Sequence, residues 1–225
     1  MDRAFLGPRE AAFVRQRLQG LPRPVSLIAF GDPDSEPCTA VRQLAEEIAA
    51  AVPEVRAVAL GRAAAAEAFA AFGVDEVPAL AVTPDPKLRP DNGIRFFGFP
   101  GGYEFDSLLD AIVRVAAGEP GLAPEMVEFL AGLGSTALHL EVFVTPTCPY
   151  CPRMVQLAHR MALLHPAVRA DMIDASEFPH WAAHYEVRGV PLTVVNGALR
   201  IEGLVPERRL LQQLQAFVVP VHRPA

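Results

Sequence analysis

The strongest constraint on the fold of this chain is an internal repeat with a fixed spacing. Phe30 and Phe143 lie 113 residues apart, and five further identical pairs share that offset. These pairs are Pro33 and Pro146, Cys38 and Cys151, Val74 and Val187, Val77 and Val190, and Pro78 and Pro191. Near the end of each half the offset falls to 105, judged by Gly98 and Gly203, which indicates an eight-residue insertion around residues 84–90. Two copies of one structural unit, with an insertion in one surface hairpin, explain the pattern.

Helix-breaking residues mark the boundary between the two units. The stretch from Gly118 to Pro124 is dense in glycine and proline, which predicts units of residues 1–118 and 119–225. Hydrophobic periodicity predicts the same order in both units: helix, strand, helix, strand, helix, two strands and a helix. The predicted helices cover residues 8–19, 38–51, 63–72, 104–117, 124–133, 149–164, 178–185 and 206–217, and the predicted strands cover residues 25–30, 55–60, 79–83, 94–97, 138–144, 168–174, 192–195 and 199–202. This order indicates an α/β fold.

Composition narrows the possible classes of protein. The 225 residues are 51% hydrophobic and carry a net charge of −6, so a real core is available and no basic patch points to nucleic acid. Three cysteines argue against a disulfide-stapled secreted scaffold. Charge or proline interrupts every apolar stretch before the roughly 18 residues of a membrane span, and no signal peptide is evident, so we expect a cytoplasmic protein without a membrane partner. The 22 prolines and two asparagines suit a thermophile, although codon usage explains them equally well.

A pair of cysteines carries the chemistry that the sequence indicates. Cys148 and Cys151 enclose Pro149 and Tyr150, directly after the apolar segment 138–144 and at the start of a predicted helix. This spacing allows the two sulfur atoms to form a disulfide with little backbone movement. The first thiol also faces the unpaired amides and the positive end of the helix dipole, which stabilise the reactive thiolate. We expect Pro149 at the first helical position, where its missing N–H costs nothing.

Metal ligation is the alternative interpretation of these residues. A structural zinc site needs two further ligands, and the sequence has no second Cys-x-x-Cys or Cys-x-x-His. An iron–sulfur cluster shared between two chains stays open for a Cys-Pro-Tyr-Cys site. His180 and His184 share a face of a predicted helix and could bind a metal, although a solvent-facing pair is the simpler interpretation. The Asp32–Glu36 turn lacks the later ligands of a calcium loop. We therefore predict neither a metal nor an organic cofactor.

A second element lies 43 residues after Cys148, where Gly189, Val190 and Pro191 precede an apolar strand. The Val190–Pro191 bond is a candidate for the cis form. A cis proline beside the dithiol would leave the preceding backbone groups free to pair with a bound peptide. We therefore expect Val190 to bind substrate, together with an exposed Tyr150. A dithiol combined with a distant Val-Pro pair is much more specific than two cysteines alone.

These segments resemble the protein disulfide oxidoreductases of thermophilic archaea and bacteria. The resemblance rests on Thr-Pro-Thr-Cys-Pro-Tyr-Cys-Pro at residues 145–152, Glu-Phe-Pro-His-Trp at 177–181, the Val190-Pro191 pair, and residues 93–105 in the first half. It implies two tandem thioredoxin-like units, each a mixed central sheet flanked by helices. It also implies Cys148 as the attacking thiol, Cys151 as the resolving thiol and Pro191 as the cis proline. The implied substrates are proteins with disulfides or dithiols, and the implied electron donor is a thioredoxin-reductase-like enzyme or a small thiol.

The first unit departs from the family pattern, in which both units commonly carry Cys-x-x-Cys. Ser35 stands where the repeat places an attacking thiol, and Cys38 keeps the resolving position. Ser35 and Pro78 have the same 43-residue spacing as Cys148 and Pro191. Asp32, Asp34 and Glu36 lie in this turn, and their negative charge disfavours a thiolate there. We expect Cys38 to be buried and inert, and this degenerate site to act as a scaffold or docking surface, which puts two-site isomerase activity in doubt.

Thioredoxins bury an acid six residues before the first cysteine, and this chain does not. Val142 occupies that position, and the adjacent Glu141 should point to the opposite face of the strand. No proton relay is therefore assigned from the sequence.

Two rival functions stay open. The N-terminal domains of alkyl hydroperoxide reductase flavoproteins also have two units and one complete dithiol, which makes an electron relay to a peroxiredoxin-type peroxidase an alternative. A non-enzymatic module that binds peptides through the first unit is the other. A Cys148→Ser variant separates them, since a pure binding module would lose nothing.

Overall fold

The computed structural model describes residues 4–84 and 93–218, which form eight helices and eight strands. The helices are α1 (Pro8–Arg17), α2 (Glu36–Ala51), α3 (Ala66–Phe72), α4 (Glu104–Ala117), α5 (Pro124–Ala131), α6 (Cys151–Leu164), α7 (Pro179–His184) and α8 (Glu207–Val218). The strands are β1 (Val25–Phe30), β2 (Val55–Leu60), β3 (Ala79–Thr83), β4 (Ile94–Phe97), β5 (Leu138–Val144), β6 (Val168–Asp174), β7 (Leu192–Val195) and β8 (Leu199–Glu202). Residues 85–90 of the predicted insertion lie outside the described residues. No helix of the described part is long and apolar enough to cross a membrane.

Strand pairing reproduces the 113-residue repeat in detail. Phe30 on β1 lies opposite Leu60 on the parallel strand β2. Its counterpart Phe143 on β5 lies opposite Ile173 on the parallel strand β6. Both members of the second pair are 113 residues beyond those of the first, so the offset read from the sequence is also the offset of the hydrogen-bonded register.

The 105-residue offset near the end of each unit is confirmed in the same way. Arg95 on β4 lies opposite Ala81 on the antiparallel strand β3. Arg200 on β8 lies opposite Val194 on the antiparallel strand β7. The strands that follow each cis proline are therefore paired alike, and the change in offset is confined to the hairpin between them.

The two units share one continuous sheet, which the sequence did not reveal. The strand order is β2-β1-β3-β4-β6-β5-β7-β8. Strand β4 of the first unit pairs in parallel with β6 of the second. The predicted α/β fold of two tandem units with mixed sheets is confirmed, and the two sheets join edge to edge. This leaves β2 and β8 as the outer edges.

Helices cover the two faces of the sheet unequally. Helices α1, α2, α4, α5, α6 and α8 pack on one face over a large apolar core. The short helices α3 and α7 pack on the other face over a smaller core rich in phenylalanine. Successive strand residues point to opposite faces, so Val142 joins the large core and Phe143 the small one. Because both faces are buried, the strands are apolar runs rather than alternating patterns.

A buried ion pair fastens the two units where β4 meets β6. The guanidinium of Arg95, which is 1% exposed, donates to both carboxylate oxygens of Asp171 at 2.7 and 2.8 Å. Its remaining Nη1 donates to the carbonyls of Phe72 and Gly73 at 2.6 and 2.7 Å. Burial alone would raise the pKa of Asp171, but the Arg95 charge and a hydrogen bond from His139 hold it below its usual value. Because every group is satisfied, this pair fixes the register of the junction.

Candidate active site

The predicted dithiol lies where β5 turns into α6. Cys148 and Cys151 form a disulfide with their Cα atoms 5.5 Å apart. The backbone N–H of Cys151 donates to the Sγ atom of Cys148 at 3.1 Å. Cys148 is 7% exposed, whereas Cys151 is 0% exposed. What distinguishes Cys148 is the helix N–H that points at its sulfur, because such a donor favours the thiolate expected of an attacking thiol, whereas Cys151 is fully enclosed.

Helix α6 begins at Cys151, two residues later than the sequence predicted. Pro149 therefore lies in the preceding turn, and the proline in the first helical turn is Pro152. The physical reason is that Pro152 has no N–H to bond to the carbonyl of Cys148, so the helix cannot start at Pro149. Tyr150 precedes the helix with 61% of its surface exposed, which leaves it accessible to a bound protein.

The loop that contains Pro191 has the predicted form. The Val190–Pro191 bond is cis. The Pro191 carbonyl accepts a hydrogen bond from the N–H of Gly203 at 2.8 Å. Among the described residues, no hydrogen bond is made by the backbone of Val190, so its polar groups are open to a ligand. Val190 and Pro191 also line a cavity of about 810 Å³ that extends toward β8 and is lined by neither cysteine.

The first unit repeats the turn that precedes the dithiol. The N–H of Ser35 donates to the Asp32 carbonyl at 3.1 Å, and the N–H of Cys148 donates to the Thr145 carbonyl at 3.1 Å. The donor and the acceptor of the second bond each lie 113 residues after those of the first, so the two bonds are equivalent in the repeat. The Val77–Pro78 bond is also cis, which gives the degenerate site a proline loop like that of the second unit.

The cysteine of the first unit is buried and unpaired. Cys38 is 6% exposed and has a free thiol. A Cβ atom placed on Gly31 would come within 2.5 Å of the Cys38 Cβ, so glycine is what lets this side chain pack against the end of β1. The N–H of Thr39 donates to the Ser35 carbonyl at 2.9 Å, so α2 begins immediately after Ser35. The expectation of a buried Cys38 is confirmed, and its inertness stays a prediction.

Helix α7 joins the units and carries the two histidines that the sequence singled out. His180 Nε2 lies 3.2 Å from Glu76 Oε1 in the first unit. The rings of Trp181 and Phe97 pack edge to face at 5.1 Å, so the tryptophan belongs to the small core. The His184 ring packs against Tyr185. The residues that the structure describes contain no cluster of three or more metal-ligating side chains.

The structure confirms that Val142 and Glu141 face opposite sides of the sheet. Val142 is fully buried in the large core that also contains the dithiol. Glu141 lies on the other face, where its carboxylate accepts a hydrogen bond from the Tyr185 hydroxyl at 2.9 Å. Burial raises the pKa of Glu141, but the sheet separates it from the dithiol side.

An acid that sequence reasoning missed lies at the start of α4. Glu104 is 2% exposed, and one of its oxygens accepts a hydrogen bond from the Ser107 hydroxyl at 2.6 Å. Its other oxygen, Oε1, has no partner among the described residues. Burial, reinforced by the charges of Asp174 and Asp106, raises the pKa of Glu104 to about 7. No repeat or motif marks this residue, because its burial depends on how the two units pack.

The start of α4 lies against the loop that leads to the dithiol. The N–H of Tyr103 donates to the Pro146 carbonyl at 3.1 Å. Gly102 has a φ of +58°, and a Cβ there would come within 2.2 Å of the same carbonyl. Only glycine allows this approach. The first unit thus places a buried acid, at the first residue of α4, beside the segment that carries the redox cysteines of the second.

Comparison with known proteins gives both a domain match and a full-length structural match. Residues 138–216 match the thioredoxin domain family. An alkyl hydroperoxide reductase of Pseudomonas aeruginosa is 30% identical over 124 residues, which are 55% of this chain and 24% of that protein. The aligned region therefore spans about a quarter of that curated relative.

Two solved structures cover nearly the whole chain. A protein disulfide oxidoreductase from Aeropyrum pernix is 26% identical, with a TM-score of 0.86 over 97% of this chain and 94% of that one. The alkyl hydroperoxide reductase AhpF of Enterococcus faecalis has a TM-score of 0.84 and 24% identity, over 94% of this chain and 100% of that one, and shows the shared fold. Residues 138–216 are thus a thioredoxin domain, and the chain as a whole has the fold of two thioredoxin units in tandem, like that of the protein disulfide oxidoreductase.

Proposed function

We propose that the chain catalyses thiol–disulfide exchange on protein substrates through Cys148 and Cys151. The observation that carries the proposal is the disulfide at the start of α6, in which the sulfur of Cys148 accepts a helix N–H and keeps slight exposure while Cys151 is fully buried. Similarity to a protein disulfide oxidoreductase along nearly the whole chain supports the same chemistry. The proposed domain boundary is the loop between α4 and α5, which the sequence placed at residues 118–119.

The proposed reaction begins with the reduced dithiol. The thiolate of Cys148 attacks a substrate disulfide, which breaks and leaves a mixed disulfide with the first substrate sulfur released as a thiolate. Cys151, once deprotonated, attacks the Cys148 sulfur, releases the second substrate sulfur and restores the Cys148–Cys151 disulfide. Two electrons reach the substrate. The Cys151 N–H stabilises negative charge on Cys148, because it points at that sulfur.

Glu104 is the proposed proton acceptor for this cycle. The reaction needs a group that can take the proton of the buried Cys151 thiol at neutral pH. Glu104 lies on the dithiol side of the sheet, and its pKa of about 7 matches that requirement. Thioredoxins have a buried acid on the strand before the dithiol, where β5 of this chain has Val142. The proposal assigns the function of that acid to Glu104 of the first unit.

Recognition of the substrate is assigned to Val190 and Tyr150. The backbone of Val190 has open hydrogen-bonding groups, and Tyr150 offers an exposed ring between the cysteines. The disulfide left after each turnover needs a donor of two electrons, for which a thioredoxin-reductase-like enzyme or a small thiol is proposed. The proposed place of action is the cytoplasm, where such donors operate.

An electron relay is the second candidate function. It is favoured by the combination of two units with a single complete dithiol, and by similarity to a protein named as part of an alkyl hydroperoxide reductase. In this role the Cys148–Cys151 pair would accept electrons from a reductase and pass them to a peroxiredoxin-type partner. Peroxide consumption in a mixture of reductase, this chain and a two-cysteine peroxiredoxin tests the relay directly.

Insulin reduction tests the main proposal. The wild-type chain should reduce insulin disulfides with dithiothreitol, a thioredoxin reductase or glutathione as donor, and Cys148→Ser should not. Cys151→Ser should accumulate mixed disulfides with client proteins, whereas Cys148→Ser should trap none. Equal trapping by both variants contradicts the assigned roles, and full activity of Cys148→Ser would leave a binding module as the function.

A further inference from the structure

Arg95 and Arg200 occupy equivalent positions in the two units but have different partners. Nη1 of Arg95 donates to the carbonyl of Phe72, and Nη1 of Arg200 donates to the carbonyl of Tyr185, one repeat further on. Arg95 also binds the carboxylate of Asp171. Arg200 makes no ion pair with any described residue, so its outward N–H groups lack the acid that its counterpart has.

The reason for this difference is that the second unit has nothing beside its edge strand. In the first unit, β6 lies against β4. In the second unit, β8 is the counterpart of β4 and is the last strand of the described sheet. The cavity of about 810 Å³ lies here, with Arg200, Glu202 and Tyr185 on its β8 side and Val190 and Pro191 at the cis-proline loop. We call this outer side of β8, with its cavity, the β8 edge.

The junction inside the chain supplies a template for what the β8 edge can bind. In the β4–β6 ladder, Arg95 lies opposite Asp171, and Phe97 lies opposite Ile173 two residues later. The counterparts of Arg95 and Phe97 are Arg200 and Glu202. A strand added in the same register would therefore need an acidic residue opposite Arg200 and a basic residue two positions later.

Charge complementarity argues against β2 of a second copy of this chain as the occupant. The only other outer edge of the described sheet is β2, whose residues at the positions of Asp171 and Ile173 are Val58 and Leu60. Pairing β2 with β8 would bury Arg200 and Glu202 against apolar side chains without partners, and the desolvation of two unpaired charges is strongly unfavourable. Pairing of β8 with β8 of a second copy would match Arg200 to Glu202 but must be antiparallel, whereas the template junction of β4 with β6 is parallel. The parallel template therefore favours a different polypeptide with matched charges.

We propose that the β8 edge binds a partner protein by parallel strand addition. The bound segment is extended and carries an acidic residue, one apolar residue and then a basic residue. The acid pairs with Arg200 as Asp171 pairs with Arg95, and the base pairs with Glu202. Backbone hydrogen bonds to β8 supply affinity, and the two charges fix the register. The strand β8 carries neither cysteine and none of the residues assigned to the redox reaction, so strand addition does not require the Cys148–Cys151 chemistry, although Val190 and Pro191 line the cavity beside it.

Peptide binding to the full-length chain tests the proposal. The probe is a fluorescein-labelled peptide of eight residues with Ala-Asp-Met-Lys at its centre, adapted from the sequence of β6, and the readout is fluorescence anisotropy. Arg200→Glu should weaken its binding at least tenfold. A second peptide with the aspartate and lysine exchanged should bind the double variant Arg200→Glu, Glu202→Lys within threefold of the original pair. The disulfide form of the chain is used throughout, so that covalent capture is excluded.

Arg56→Glu is the matched control. Arg56 is an exposed arginine on β2, the opposite outer strand of the described sheet, and lies outside the β8 edge. Its reversal should change the affinity less than twofold. Equal binding by wild type and Arg200→Glu, no binding of the peptide to wild type, or loss of a homodimer in Arg200→Glu would each overturn the proposal. If Arg200→Glu unfolds in a thermal melt, Glu202→Lys alone supplies the same comparison with a peptide that carries two acids.

Discussion

At residues 35 and 148 the chain builds the same turn, each closed by an N–H that donates to the carbonyl three residues earlier. A cis proline follows 43 residues later in both units. The second turn holds two sulfur atoms in a disulfide, whereas the first holds a hydroxyl and a buried free thiol. The sheet, whose pairing register is the same in both units, sets the backbone at each site. The comparison shows that the backbone geometry of the site is present in both units, although only the second unit has the two cysteines of a disulfide.

The largest expected effect separates the two cysteine positions. Cys148→Ser should lower the rate of insulin reduction by about a thousandfold or more, because a serine hydroxyl is not ionised at neutral pH and cannot replace the thiolate. Cys38→Ser should leave the rate within about twofold, because the thiol is buried in the other unit. Turbidity measurements with equal amounts of both variants check this. A large loss of the reduction rate in Cys38→Ser would contradict the view that only the second unit takes part in the reaction.

The junction between the halves should be the next most sensitive site. Asp171→Asn should lower the free energy of unfolding by about 3–5 kcal/mol, because it leaves the buried charge of Arg95 without its partner. Arg188→Gln, which breaks an exposed pair, should cost less than about 1 kcal/mol. Urea denaturation at pH 7 measures both. The depressed pKa of Asp171 means that its contribution is present above the unfolded value and is lost as the pH falls through the folded one. A loss in Asp171→Asn no larger than in Arg188→Gln would show that the halves are not held together here.

Glu104→Gln should change activity and stability in opposite directions. The folded pKa of about 7 lies above the ordinary value of 4.5, so wild type loses stability as the pH rises between these values. At pH 8 the variant should be more stable by up to about 3 kcal/mol, because it never ionises in the core. Its rate of disulfide exchange at pH 7 should fall several-fold and lose its dependence on pH in this range, if Glu104 accepts the proton.

Stopped-flow exchange rates and thermal melts from pH 5 to 8 separate these effects. His159 acts in the opposite sense, since burial lowers its pKa to about 4 and stability is lost as the pH falls from 6.5. It is the same in both proteins, so the difference between wild type and variant isolates Glu104. An unchanged pH profile of the rate would remove Glu104 from the proposed mechanism.

The smallest expected effect is a weak redox activity in the first unit when its missing cysteine is introduced. In a Cys148→Ser, Cys151→Ser background, Ser35→Cys should form a disulfide with Cys38, because the turn before residue 35 has the same backbone bond as the turn before residue 148. Insulin reduction should return only weakly, since Asp32, Asp34 and Glu36 disfavour a neighbouring thiolate. Thiol titration after mild oxidation, followed by the insulin assay, gives both results. Two titratable thiols after oxidation would contradict the register at residue 35, and native activity would contradict the electrostatic argument.

The sequence predicted those features that depend on local pattern or on the repeat. It predicted the element order, the register offset between the halves, the dithiol and the cis form of the bond before Pro191. Helix starts were less accurate, as at Cys151, because the missing N–H of Pro152 decides where the first helical bond forms. Three-dimensional neighbours across the junction were not predictable. Arg95 and Asp171 are 76 residues apart, and no sequence pattern in β4 or β6 predicts that they form an ion pair.

Glu104 shows the same limit at the site itself. Glu104 is buried at the contact between α4 and the loop at Pro146, and no spacing rule connects those segments. Thioredoxins have their acid on the strand before the dithiol, where this chain has Val142. In this chain Glu104 comes from the other unit, so a motif within one unit could not reveal it.

The continuous sheet has a consequence for how such a gene can evolve. Mutation could replace the thiol at residue 35 without harm to the fold, but deletion of the first unit would uncover the β6 edge and leave Asp171 in an apolar surface without its arginine. It would also remove Glu104 from the dithiol side. A half without a complete dithiol can therefore still be required for folding, and substitutions in it should be tolerated best at residues that face neither the junction nor the core.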